Sequence, residues 1–127
     1  MKNKILLACL IGLINITSVY ASCDGGTMVG GFCKSNVSMN WWSAAAWCQA
    51  NGLHLATIYE ICPNWDGNIG PGCPQWDAGG GNIFLWSSTA SGYHEAFYTY
   101  QDGNIDHGYY SRNTDGDATY KGYAFCK

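Results

Sequence analysis

Trp41-Trp42-Ser43-Ala44-Ala45-Ala46-Trp47-Cys48, running on through Gly52 to Leu55-Ala56 and then Thr57-x-x-Glu60, decides how the rest of the chain is read. Asn40 stands where a side-chain oxygen can take up a free amide of a first helical turn. The three alanines are strong helix formers, and Gly52 can adopt the left-handed backbone that ends a helix. Trp41, Ala44, Ala45 and Cys48 fall at i, i+3, i+4 and i+7, which gives a helix from Trp41 to about Ala50 one buried face. Leu53-His54-Leu55-Ala56 alternates like a short strand with its leucines inward. Thr57-x-x-Glu60 is a capping box that opens a second, shorter helix, which Pro63 cuts off.

On the amino-terminal side, Met28-Val29 and Phe32 flank Gly30-Gly31, a turn dipeptide, so residues 22–37 read as a small hairpin. On the carboxyl-terminal side, residues 63–82 hold six Gly and three Pro and predict a long irregular loop. A loop of 20 residues in a small domain is functional or tied down. Beyond it the pattern turns β. Ile83-Phe84-Leu85-Trp86 is an apolar strand, Ala96 to Gln101 and Ile105 to Tyr110 flank the hairpin signal Asp102-Gly103-Asn104, and Tyr120 to Cys126 makes a last strand. Two helices followed by antiparallel strands predict an α+β domain.

The first 21 residues read as a secretory leader. Lys2 and Lys4 precede an apolar run from Ile5 to Ile16, and Val19-Tyr20-Ala21 offers a cleavage site before Ser22. The expected organisation is a signal peptide over 1–21 and one domain over 22–127. Without the leader, four basic side chains face nine acidic ones. A net charge near -5 repels phosphate backbones and argues against nucleic-acid binding. No second apolar stretch predicts a membrane span. Six cysteines remain, Cys23, Cys33, Cys48, Cys62, Cys73 and Cys126, and an oxidising compartment makes three disulfides the expectation, with the connectivity open. Cys23 as a lipidated first residue is the weaker reading, because Tyr20 stands where such signals carry Leu.

Trp42-x4-Trp47-Cys48-x3-Gly52-x2-Leu55-Ala56-x-Ile58, followed by Glu60, resembles the first helix and second strand of C-type-lectin-like domains. The resemblance implies that fold: two helices packed on antiparallel sheets, with a long irregular loop, stapled by disulfides. It implies the pairings Cys48–Cys126, from the helix to the last strand, Cys23–Cys33 in an amino-terminal hairpin, and Cys62–Cys73 in the loop. Closing the 78-residue separation of Cys48 and Cys126 removes roughly 4.5 kcal/mol of unfolded-state entropy in the chain-entropy picture. The family's calcium-binding triplets, Glu-Pro-Asn or Gln-Pro-Asp and Trp-Asn-Asp, do not occur here. Asp66, Asn68 and Asp77 could supply some oxygens, but loop residues of these types more often serve turns. No cofactor or metal is therefore expected, with calcium the one exception worth testing.

Leu85-Trp86-Ser87-Ser88-Thr89-Ala90-Ser91-Gly92 resembles the segment that opens the variable region of bacterial and phage proteins of this fold. Some of those are diversified by retroelements that mutate adenines, which enriches Asn, Asp, Ser, Tyr, His, Gly, Thr and Ala. The stretch that follows is crowded with these types. The expected ligand-binding residues are Tyr93, His94, Tyr98, Tyr100, Asp102, Asn104, Asp106, His107, Tyr109, Tyr110, Arg112, Asn113, Asp115, Asp117 and Tyr120. The bland alternative is a solvated β face with turns. Tyrosine with Ser, Gly and Asn is also the composition of antibody paratopes, combining contact area with adaptable hydrogen bonds. Trp65 and Trp76 either stack on sugar rings or anchor the loop to the core, and anchoring is the favoured reading.

Catalytic chemistry finds little purchase. His54, His94 and His107 sit in no His-Glu-x-x-His or other recognised motif. His94-Glu95 is the one close His–carboxylate pair in sequence, and neighbours in a strand point to opposite faces. Paired cysteines offer no thiolate. The expected function is a secreted, periplasmic or surface-displayed, non-catalytic binding domain: a bacterial receptor or adhesin for a protein or glycan ligand at a cell or host surface. A carbohydrate-binding lectin, calcium-assisted or not, and a minor pilus or envelope subunit are the alternatives.

Overall fold

The computed structural model describes residues 20–76, 83–109 and 121–127. Apart from Tyr20 and Ala21, the leader expected over 1–21 lies outside these residues. The first helix, α1, runs Trp41–Ala50. Asn40 caps it as its position suggests, its side-chain oxygen accepting the Ser43 amide at 2.8 Å. Gly52, at φ 72°, turns the chain out of the helix, and Leu53 N–H returns to the Cys48 carbonyl at 2.9 Å. Ala44 and Cys48 are fully buried, with Trp41 and Ala45 packed beside them. The second helix, α2, is one turn, Ile58–Ile61, opened by the full Thr57/Glu60 capping box.

Among the described residues seven strands form one sheet: β1 Gly26–Val29, β2 Phe32–Met39, β3 Gly70–Pro71, β4 Phe84–Gly92, β5 Glu95–Tyr100, β6 Asn104–Tyr109 and β7 Gly122–Cys126. Their order is β1-β2-β7-β4-β5-β6-β3. The architecture is α+β as expected, but the sheet is mixed: β4 and β7 run parallel, with Leu85 opposite Tyr123. The expectation of wholly antiparallel sheets is corrected by this pair. Local turn signals specify hairpins, whereas a parallel pair joins strands distant in sequence and leaves no such mark.

Three further boundaries differ from expectation. Leu53–Ala56 forms no strand of its own, only an isolated bridge from Leu55 to Cys126. With β2 and β4 on either side of β7, this segment takes the amides and carbonyls at the far end of β7, His54 and Lys127 exchanging both bonds. Strand β4 does not stop at Trp86 but runs to Gly92. Its polar run stays in the sheet because the hydroxyls serve backbone groups: Ser87 Oγ donates to the Phe97 carbonyl at 2.7 Å, and Thr89 Oγ1 accepts the Ile58 amide at 2.9 Å. Inside the irregular loop, Gly70–Pro71 adds a two-residue edge strand to β6.

The cysteines pair as Cys23–Cys33, Cys48–Cys126 and Cys62–Cys73. The sheet is buried on both sides. Cys48 and Ala44 of α1 pack on Trp86, Ala96, Tyr98, Ala124 and Cys126. On the opposite side α2 and the loop cover Leu85, Ile105 and Phe125. Among the described residues no helix is long and apolar enough to cross a membrane.

Candidate ligand-binding surface

The β5–β6 hairpin is set by its turn. Asp102 Oδ1 accepts the Asn104 amide at 3.0 Å, and Gly103, at φ 91°, returns its N–H to the Tyr100 carbonyl. That turn fixes the register: Phe97 faces His107, Tyr98 faces Asp106, and Glu95 faces Tyr109. Directly opposed residues in an antiparallel pair share a face, and neighbours along a strand alternate. The expected binding residues therefore divide between two faces and two ends.

Tyr98 leaves the displayed set altogether. It is 3% exposed, with ring centroids 4.3 Å from Phe84, 5.6 Å from Trp86 and 5.5 Å from Tyr100. Tyr100, Asn104 and Asp106 are half-buried, and Asp106 turns Oδ1 to the His107 amide at 2.8 Å. Asp102 is exposed at the β5–β6 turn. At the other end of β5, Tyr93 is 87% exposed and stacks on His94 at 3.9 Å, with His94 held at φ 58°. Tyr109 pairs through its backbone at that same end. Tyr110, Arg112, Asn113, Asp115, Asp117 and Tyr120 lie outside the described residues, as does the loop carboxylate Asp77.

The face opposite α1 carries an arrangement the sequence reading did not assemble. Tyr59 on α2, 61% exposed, lies 5.4 Å from the Trp65 ring. Trp65 meets Phe97 at 4.7 Å, and Phe97 meets His107 at 6.3 Å. His107 Nδ1 lies 3.2 Å from Glu95 Oε2. A row of four rings thus ends in a carboxylate–imidazole pair. Loop residues hold the row in place. Trp65 donates its indole N–H to the Asn68 carbonyl at 2.7 Å, and the Asn68 amide bonds Asp66 at 3.0 Å, which keeps that carboxyl below the usual aspartate range. Trp76 serves as an anchor, its ring 5.4 Å from Phe32 and 5.5 Å from Phe125. Trp65 is both an anchor and part of the surface.

Glu95 and Phe97 carry no local motif, yet the Asp102-Gly103 turn was signal enough to find them. Centring the hairpin there puts Glu95 one diagonal step from His107, across the strands rather than beside His94. Tyr59 had no such signal, because the fold of the loop brings it near. Among the described residues no group of three or more His, Cys, Asp or Glu could hold a metal ion. No protein-family model matches the chain, and no curated protein or solved structure does either.

Proposed function

We propose that the chain is a non-catalytic ligand-binding domain of C-type-lectin-like fold, secreted or displayed at a cell surface as a receptor or adhesin. Three disulfides support the fold reading, since each falls where the family resemblance implies: helix to last strand, amino-terminal hairpin, and loop. The observation that carries the function is the aromatic surface on the β4–β5–β6 end of the sheet. Tyr93 stands out at 87% exposure in the turn between β4 and β5, with the Tyr59–Trp65–Phe97–His107 row on the face opposite α1. Rigid, exposed aromatics on a disulfide-pinned scaffold bind ligands at low entropy cost.

The test is to probe arrays of purified cell-surface proteins and of glycans with the disulfide-intact protein, in calcium and in chelator. Saturable binding that weakens in Tyr93→Ala or Tyr59→Ala, with unchanged melting temperature, supports the reading. Turnover of a bound ligand, or binding indifferent to both substitutions, sinks it.

A further inference from the structure

The row on the face opposite α1 also indicates what kind of ligand it takes, an inference that rests on the ligand-binding reading above. Phe97 is half-buried and its ring stands at 66° to Trp65 and 78° to His107, so it meets both rings in edge-to-face contacts. Glu95 Oε2 and His107 Nδ1 engage each other at 3.2 Å, which leaves Glu95 Oε1 and His107 Nε2 as a neighbouring acceptor and ring nitrogen. Both side chains reach solvent, at 22% and 42% exposure.

We propose that this strip is a metal-independent saccharide subsite: a saccharide packs the C–H face of one ring on Trp65, with Tyr59 tilted at 57° beside it, and turns hydroxyls toward Glu95 and His107. Three features select this occupant. A sugar combines an apolar face with a rim of hydroxyls that both donate and accept, which matches aromatic rings beside a mixed donor–acceptor pair. Glu95 and His107, engaged with each other at 3.2 Å, form a mixed polar edge rather than a cluster of like groups, which suits hydroxyls better than a phosphate or an ammonium. Of the four rings Tyr59 and His107 are exposed and Trp65 and Phe97 half-buried, a narrow footprint that suits a small ring better than a broad flat surface. One carboxylate and one imidazole also fall short of the several oxygens calcium requires.

The experiment is an NMR titration of the isotopically labelled, disulfide-intact protein with methyl glycosides of mannose, galactose, glucose and N-acetylglucosamine, all in EDTA. The expected result is saturable perturbation of the Trp65 indole and His107 signals by at least one glycoside. Affinity then falls about tenfold in Glu95→Gln, as expected for loss of a charged hydrogen-bond acceptor. Tyr59→Ala, at a mostly exposed site, weakens binding as well, and Trp42→Ala, 58% exposed and outside the strip, leaves it unchanged. Absence of any perturbation, binding that returns only with calcium, or shifts confined to Tyr93 and His94 would each overturn the subsite. None of these would remove the broader reading, which fails separately if the Tyr93→Ala and Tyr59→Ala variants bind every array ligand as the parent does.

Discussion

Tyr98 buries its ring among Phe84, Trp86 and Tyr100, whereas Tyr93, five residues earlier, is almost wholly in solvent. The two should part company in chemical denaturation: Tyr98→Ala costs about 3–5 kcal/mol, the penalty for emptying a buried aromatic site, and Tyr93→Ala stays within about 0.5 kcal/mol. The same contrast limits any diversification of this region. Isolates that vary here should differ at Tyr93, His94 and His107 but keep Ala96, Tyr98 and Ile105 apolar, which sequencing the gene from many isolates will show. Glu60 gives a second prediction at this scale. Partial burial pushes its carboxyl upward, but the Thr57 amide and then His54, at 2.9 Å, together outweigh it and hold the carboxyl below the usual range. A depressed folded value means stabilisation that is complete above the unfolded value of about 4.3 and lost as pH falls through the folded one. The melting temperature should therefore fall more steeply on acidification below about pH 4.3 in the parent than in Glu60→Gln. Thr57→Ala, which removes the cap oxygen, should cost about 1 kcal/mol near neutrality.

At the scale of elements, the β5–β6 turn and the loop hold each other. Cys73 N–H donates to the Gly103 carbonyl and Trp76 N–H to Gln101, while a Cβ on Gly103 would strike the Cys73 carbonyl. Gly103→Ala meets both that clash and the strain of φ 91°, so it should cost about 2 kcal/mol or more in a thermal melt. The elements legible in sequence were those set by neighbours along the chain: α1 from its Asn40 cap and Gly52 stop, α2 from its capping box, the β1–β2 turn from Gly30-Gly31. What escaped depends on distant partners. Ser87 and Thr89 lie past the strand expected to end at Trp86 and stay in the sheet through hydrogen bonds with the distant Phe97 and Ile58, and Gly70–Pro71 becomes a strand only beside β6. The candidate site followed the same division. His107 could be singled out from composition, but its companions Glu95, Phe97, Trp65 and Tyr59 come together through register and loop packing.

For the whole molecule, the disulfides divide the work unequally. Cys48–Cys126 spans a separation of 78 and ties α1 to a strand in the middle of the sheet, at a point where both sulfurs are fully buried. Cys23–Cys33 and Cys62–Cys73 span 10 and 11 and close local units, the first hairpin and the loop. In the chain-entropy picture the long bridge contributes about 4.5 kcal/mol and each short one about 2.7 kcal/mol. Small domains hold a net stability of roughly 5–15 kcal/mol, so the long bridge alone can decide whether the domain folds. Paired serine replacement at Cys48 and Cys126 also puts two hydroxyls into the core packed under α1, adding a burial cost to the lost constraint. That variant should be largely unfolded at 37 °C by circular dichroism. Replacing Cys62 and Cys73 should leave a cooperative melt at reduced temperature, yet loosen the loop that seats Trp65 against Phe97. Its ligand binding should thus fall by more than its modest loss of stability explains. A Cys62/Cys73 variant less stable than the Cys48/Cys126 one would reverse this order and show that the loop, rather than the helix-to-sheet staple, holds the fold.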